Sequence, residues 1–210
     1  MKKILIFITL LLCVNFAQAQ NTFKDTVFLE EVVTKFRKKK KLLKYEISGH
    51  AAYSGLHHGT SKIVCLLDKL PTGTIKNVTF YLNTGLPNMF KRKLKINYKD
   101  VLLGILVCEV DANGKPGKIL SENEVKFWVK ADHRGSLTVD MSSLNLESTK
   151  MFFGFTVLSE LSKNENNLYM RFCENESAAT YSFGNVFNRN EKNWYLDGKM
   201  SFKLKMKIEQ

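Results

Sequence analysis

The sequence predicts an all-β chain: an antiparallel β-sandwich of jelly-roll-like form behind a short N-terminal extension. Three observations predict it. In the last stretch Met200, Phe202, Leu204, Met206 and Ile208 alternate with Ser201, Lys203, Lys205 and Lys207. A strand sends the two sets to opposite faces, whereas a helix would scatter the lysines around its axis. Short apolar runs recur at roughly ten-residue spacing between turn residues, as sandwiches and barrels require. No helical periodicity of about twelve residues or more follows Tyr45.

At the N-terminus, Lys2 and Lys3 precede an apolar run from Ile4 to Leu12, and Ala17-Gln18-Ala19 offers small residues for cleavage before Gln20. That order is expected of an export signal over residues 1–19. Extended to Phe16 the run has about 13 residues, against the roughly 20 a helix needs to span a bilayer. No later segment is apolar enough to cross a membrane, and Leu12 before Cys13 does not suit lipidation. Removing residues 1–19 takes away two lysines and no acid, so the formal charge falls from +12 to +10.

Residues 20–46 read as a basic extension. One extended stretch, Asp25 to Thr34, runs into a cluster of Lys35, Arg37, Lys38, Lys39, Lys40, Lys41 and Lys44. Like charges so close repel and stay solvated; a short amphipathic helix from Val32 to Lys44 is expected. The sandwich is placed at 47–210. Its strands are expected at Lys62–Leu67, Thr74–Leu82, Lys93–Tyr98, Leu102–Val110, Val125–Lys130, Ser136–Asp140, Met151–Leu158, Asn167–Phe172, Ala179–Phe183, Asn193–Leu196 and Met200–Ile208. Pro71-Thr72-Gly73, Asn113-Gly114 with Pro116-Gly117, Asp132 to Gly135 and Asp197-Gly198 supply the reversals.

Cys65, Cys108 and Cys173 follow the signal, each in apolar surroundings. An odd number leaves at least one free thiol; three buried thiols or one disulfide both fit. No CxxC spacing points to a metal, and no cofactor is expected. HExxH, GxSxG, a phosphate loop and a dinucleotide fingerprint are all missing. Asp68, Asp111, Asp132 and Asp140 sit where acids cap turns. His57 and His58 form a polar loop bracketed by glycines. Asp111-Ala112-Asn113-Gly114 opens like a calcium loop, but Pro116 holds the position of the invariant glycine, so a hairpin turn is expected. Trp128, Trp194, Tyr195 and Tyr181 are candidate contacts to a ligand or partner, with His57, His58 and Lys38, Lys39, Lys40 and Lys41.

Two stretches carry a resemblance. Val107-Cys108-Glu109-Val110-Asp111, the turn Asn113–Leu120, Glu122–Val129, Gly135–Leu146 and Met151–Val157 resemble a domain of exported Bacteroidetes proteins associated with carboxypeptidase-regulatory-like proteins. Ile63–Leu82 extends the likeness upstream, so that it covers roughly 47–208. It implies a β-sandwich and brings no catalytic residue with it. Asp25–Thr34 is similar to the segment near the energy-coupling box of outer-membrane receptors, but 210 residues cannot supply their 22-stranded barrel.

The function expected is that of a non-catalytic binding or structural module of the cell envelope, directed at a protein. A carbohydrate-binding module is the first alternative and an enzyme on envelope polysaccharide or peptide the second. An envelope protein, an acidic glycan or anionic lipid headgroups suit the positive charge; nucleic acid does not suit an exported chain. Periplasm, outer membrane and exterior all fit, and ligand, oligomeric state and strand order stay open.

Overall fold

A computed structural model describes residues 40–56, 59–83, 98–147, 149–162, 167–174, 178–184 and 193–210, with the backbone alone at 51–55. Thirteen strands appear: β1 (Leu42–Ile47), β2 (Ala51–Gly55), β3 (Thr60–Leu67), β4 (Thr74–Leu82), β5 (Val101–Val110), β6 (Pro116–Val129), β7 (Gly135–Asp140), β8 (Met151–Val157), β9 (Tyr169–Glu174), β10 (Thr180–Gly184), β11 (Trp194–Gly198), β12 (Met200–Phe202) and β13 (Leu204–Glu209). All pairings among them are antiparallel. They form a seven-stranded and a six-stranded sheet.

The pairing of β2 to β9 is nested. β5 pairs with β6, β4 with β7, β3 with β8 and β2 with β9. Cross-contacts of β5 with β8 and of β4 with β9 complete two four-stranded groups, β3-β8-β5-β6 and β2-β9-β4-β7. This is the jelly roll, a long hairpin rolled so that alternate strand pairs fall in opposite sheets. The chain ends then add to both layers. β10 and β11 extend the six-stranded sheet beyond β3. β12 and β13 join β9 and β4, and β1 closes on β13.

The core between the sheets follows from alternation. Val78, Phe80 and Leu82 on β4 and Leu204, Met206 and Ile208 on β13 point inward. They meet Ile63, Cys65 and Leu67 on β3, Leu103, Ile105 and Val107 on β5, and Phe153 and Phe155 on β8. Phe80 is the hub: it stacks on Phe127 and Phe153, each at 6.1 Å between centroids, and tilts against Phe155 at 4.7 Å. Phe202 continues the chain of rings from Phe155 to Phe172.

Some sequence expectations need correction. Over Leu42–Lys44 the chain is strand, not helix, and β1 belongs to the sandwich; the rest of the expected helix lies outside the described residues. β2 carries no alternating pattern and owes its form to β9. β6 begins at Pro116, nine residues before the expected strand, because its bulges break the alternation. The strand expected over Met200–Ile208 is divided at Lys203 into β12, paired with β9, and β13, paired with β4 and β1. The strand expected at Lys93–Tyr98 lies outside the described residues except for Tyr98, which is not in a strand. The Asp111 loop is the expected hairpin turn: its Oδ1 accepts from the N–H of Asn113 (2.8 Å) and of Lys115 (2.7 Å). Asp68 and Asp140 cap turns likewise, accepting from the N–H of Lys69 and Ser142.

Candidate functional site

A two-layer sandwich needs one apolar face per sheet. The six-stranded sheet has two. On β5 Leu103, Ile105 and Val107 enter the main core, while Leu106 and Cys108 point outward; on β8 Phe153 and Phe155 enter the core, and Phe152 points outward. With Val64 on β3 and Tyr181 on β10, the outward residues form a second cluster. Val64, Leu106, Cys108 and Phe152 are fully buried there. Tyr181 meets Phe152 edge-on at 5.4 Å, and Leu66, Val110, Ala179 and Trp194 pack around them.

A polar row crosses this outer face. Lys62 on β3 is paired with Thr156 on β8, and Thr156 with Gly104 on β5. Glu122 of β6 reaches over the glycine: its Oε1 lies 2.9 Å from Lys62 Nζ and accepts from Thr156 Oγ1 at 3.0 Å. The Lys62 ammonium bound to it holds the Glu122 carboxyl below the usual range, against the opposing pull of desolvation and with help from Thr156. Lys62 also stands over the Phe183 ring, 5.8 Å from its centroid, and Phe183 meets Trp194 at 5.3 Å. The row therefore runs from an aromatic pair at one side to a half-buried ion pair at the other.

Gly104 is required here. A Cβ would collide with the side chain of Asn123, which adopts a left-handed backbone (φ 63°) at the bulge in β6. Asn123 Oδ1 and, on the inward side, Ser121 Oγ are buried without a hydrogen-bond partner among the described residues. Burial pushes the Cys65 and Cys108 thiols up to about 11 each, so both are neutral at physiological pH. Cys65 accepts a hydrogen bond from Ser201 Oγ at 3.2 Å. All three described cysteines are free thiols.

Exposed large apolar side chains gather on the same sheet. Of the six among the described residues, Ile119, Leu120 and Trp128 lie on β6, Leu196 on β11 and Leu158 directly after β8; Leu42 alone lies elsewhere. Trp128, 51% exposed, lies opposite Leu102 on the outer face. Lys130 stands over its ring at 5.2 Å and is anchored to Asp100 at 2.7 Å.

The sequence-derived candidates are thus sorted by the fold. Trp128, Trp194 and Tyr181 share one outer face, with Trp128 and Trp194 on opposite edge strands, roughly 24 Å apart at about 4.8 Å per strand. Tyr195 alternates with Trp194, opposite Ser182, and does not join them. Lys40 and Lys41 enter β1 at the edge of the other sheet. His57, His58, Lys38 and Lys39 lie outside the described residues. Sequence reasoning missed Lys62, Glu122, Thr156, Phe183 and Leu196. The available signal was the unbroken apolar run in VLLGILVC and MFFGF, which marks strands buried on both faces.

Among the described residues, no group of three or more His, Cys, Asp and Glu side chains is placed to hold a metal. No helix there is long and apolar enough to cross a membrane. Comparison with protein-family models, with curated proteins and with solved structures gave no match.

Proposed function

We propose that this chain is an exported, non-catalytic binding module of the cell envelope, docking a protein partner over the outer face of the six-stranded sheet. The observation that carries the reading is the gathering of exposed apolar residues around that face: Ile119, Leu120, Trp128, Leu158 and Leu196. Apolar side chains grouped around a buried apolar centre and interrupted by charges fit the anatomy of a protein interface. Lys62, Lys118 and Lys126 on the same sheet favour a partner with acidic groups around its apolar contact.

The use made of the carboxylates supports binding over catalysis. Glu122 is engaged by Lys62, Asp100 by Lys130 and the Ala131 N–H, and Asp111 and Asp140 by turn amides. Export rests on the leader-like residues 1–19, and the likeness to exported Bacteroidetes domains points the same way. Carbohydrate binding is the second reading, favoured by the exposed Trp128 ring with Lys130 and Asp100 beside it.

The test compares mature protein with the triple variant Ile119→Ser, Leu120→Ser, Trp128→Ala and with Thr138→Ala on the opposite sheet, in capture from the producing cell's envelope fraction. The expected outcome is one protein held at physiological salt by wild type and Thr138→Ala, and at least about tenfold less by the triple variant, a loss of about 1.4 kcal/mol or more. A captured protein indifferent to the triple substitution would sink the docking face. Capture of polysaccharide alone, lost with Trp128→Ala, would replace the reading with the carbohydrate one.

A further inference from the structure

The opposite side of the sandwich has a different chemistry. On the outer face of β1, β13 and β4 stand Lys44, Lys76, Lys205 and Lys207, with Lys40 just before β1 and Lys203 just before β13, against Glu46, Glu209 and, on β7, Asp140. The register places Lys44 directly opposite Lys207. Like charges facing each other across a strand pair are destabilising, and the neighbouring acids do not relieve them. Glu46 is held by Lys205 at 3.3 Å, and Glu209 by both Lys40 at 2.9 Å and Lys76 at 3.0 Å. Asp140 accepts from the Ser142 amide. Neither Lys44 nor Lys207 has an ion-pair partner among the described residues. Lys203 turns to the Tyr81 ring, 5.1 Å from its centroid.

Along β13 the lysines recur every second residue, roughly 6.8 Å apart, in one line on the wet face. Leu42 belongs to the same outer face. Leu43 packs on the core, so Leu42 points away from it, and it is 59% exposed beside Glu209. A row of cations with an exposed leucine at its edge combines the two terms that hold a protein on an anionic bilayer: lysine attraction to headgroup phosphate and burial of an apolar side chain at the acyl boundary.

We propose that this face of the seven-stranded sheet is a docking surface for an anionic lipid membrane, with Lys44, Lys205 and Lys207 at the headgroup phosphates and Leu42 inserted beside them. The occupant is a phosphate-bearing lipid surface, because a soluble polyanion would make no use of Leu42. The surface is independent of the protein-docking face, which lies on the other sheet.

The test is sedimentation of the mature chain with phosphatidylcholine vesicles with or without phosphatidylglycerol. Wild type is expected to bind only the vesicles containing phosphatidylglycerol and to leave them at about 1 M salt, where the screening length falls to about 3 Å. Lys44→Glu with Lys207→Glu keeps the pair like-charged and should weaken partitioning at least about thirtyfold. Leu42→Ser should weaken it about fivefold. Lys118→Glu with Lys126→Glu, on the six-stranded sheet, makes the same change in net charge and should cost far less. All variants are first shown to keep the wild-type unfolding midpoint; if Lys44→Glu with Lys207→Glu does not, Lys207→Gln alone replaces it, with an expected loss of about fivefold. No vesicle binding at physiological salt would overturn the proposal. So would equal losses from the two charge reversals. Binding that is indifferent to Leu42→Ser and competed away by a soluble acidic polysaccharide would also overturn it, in favour of a glycan site.

Discussion

Glu122 shows how one side chain links fold and face. Its carboxyl sits below the ordinary value of 4.5, first because Lys62 donates to it. A depressed carboxyl pKa stabilises the folded state above the unfolded value, and that contribution disappears as pH falls through the folded value. Glu122→Gln should therefore lower stability by about 1 kcal/mol at neutral pH, a figure reduced for the water that still reaches the group. Denaturant titrations of both proteins should give a constant gap above about pH 5 that closes at more acid pH. A gap that stays constant down to about pH 2 would show that the ion pair contributes nothing and only the side-chain volume matters.

The residues of this row were individually visible in the sequence but not as a group. Lys62 and Glu122 are 60 positions apart, and only the registers of β3 with β8, β8 with β5 and β5 with β6 bring them together. Register is set by tertiary pairing, and a shift of one residue sends every side chain to the other face. Trp128, Trp194 and Tyr181 were legible as aromatics near turns; their shared face, and the separation of Tyr195 from it, was not.

At the scale of elements, strands that alternate were the legible ones. β4 matches its expected bounds of Thr74–Leu82, and β13 keeps its lysines wet and its apolar residues in the core. β6 failed the same test because register shifts and the left-handed Asn123 interrupt its period. β1 was hidden by charge: the lysine run masks Leu43, Tyr45 and Ile47, which alternate into the core. β2 has nothing in AAYSG to announce it.

Gly104 on β5 and Gly154 on β8, two glycines of the central strands of the six-stranded sheet, predict how tightly those strands are set. A Cβ on Gly154 would strike the Ile63 carbonyl and come within 2.7 Å of Val64 Cα, both backbone atoms of the neighbouring β3. A Cβ on Gly104 would strike the Asn123 side chain and stand 3.2 Å from the Asn123 Cα, a contact that a small backbone shift can relieve. Gly154→Ala should then cost about 3 kcal/mol or more, since a central strand must move. Gly104→Ala should cost about 1–2 kcal/mol and recover most of it in the background of Asn123→Gly, where the obstructing side chain is gone and glycine suits the positive φ. Urea unfolding of the three variants checks this; equal costs for the two alanine substitutions would contradict the strand spacing described.

The unit from Lys40 to Gln210 is a jelly roll whose two ends meet. Class and layer count were readable because they follow from short alternating strands and turn chemistry, which are local. Strand order was not, because it depends on contacts such as that of β1 with β13, more than 150 residues apart in the chain. That contact also places β1 at the edge of the seven-stranded sheet. Lys41 N–H donates to the Gln210 carbonyl at 3.2 Å, and Gln210 N–H donates to the Lys41 carbonyl at 2.9 Å. The two ends of the unit from Lys40 to Gln210 thus lie side by side as a paired strand terminus, the geometry of a hairpin without its loop. A short Gly-rich link from Gln210 to Lys40, with new ends opened at Asn113-Gly114, should give a circular permutant that unfolds in a single cooperative transition with native near-UV dichroism. The new ends fall in an exposed turn, where interruption is tolerated. The link replaces the longest loop closure by a local one, while the cut converts the β5–β6 hairpin into a long-range pair. If docking of β1 on β13 limits folding, the permutant should refold faster than the linear chain by stopped-flow fluorescence. If it refolds more slowly yet reaches the same final state, the β5–β6 hairpin is the element that must form early, and closure of the ends follows it.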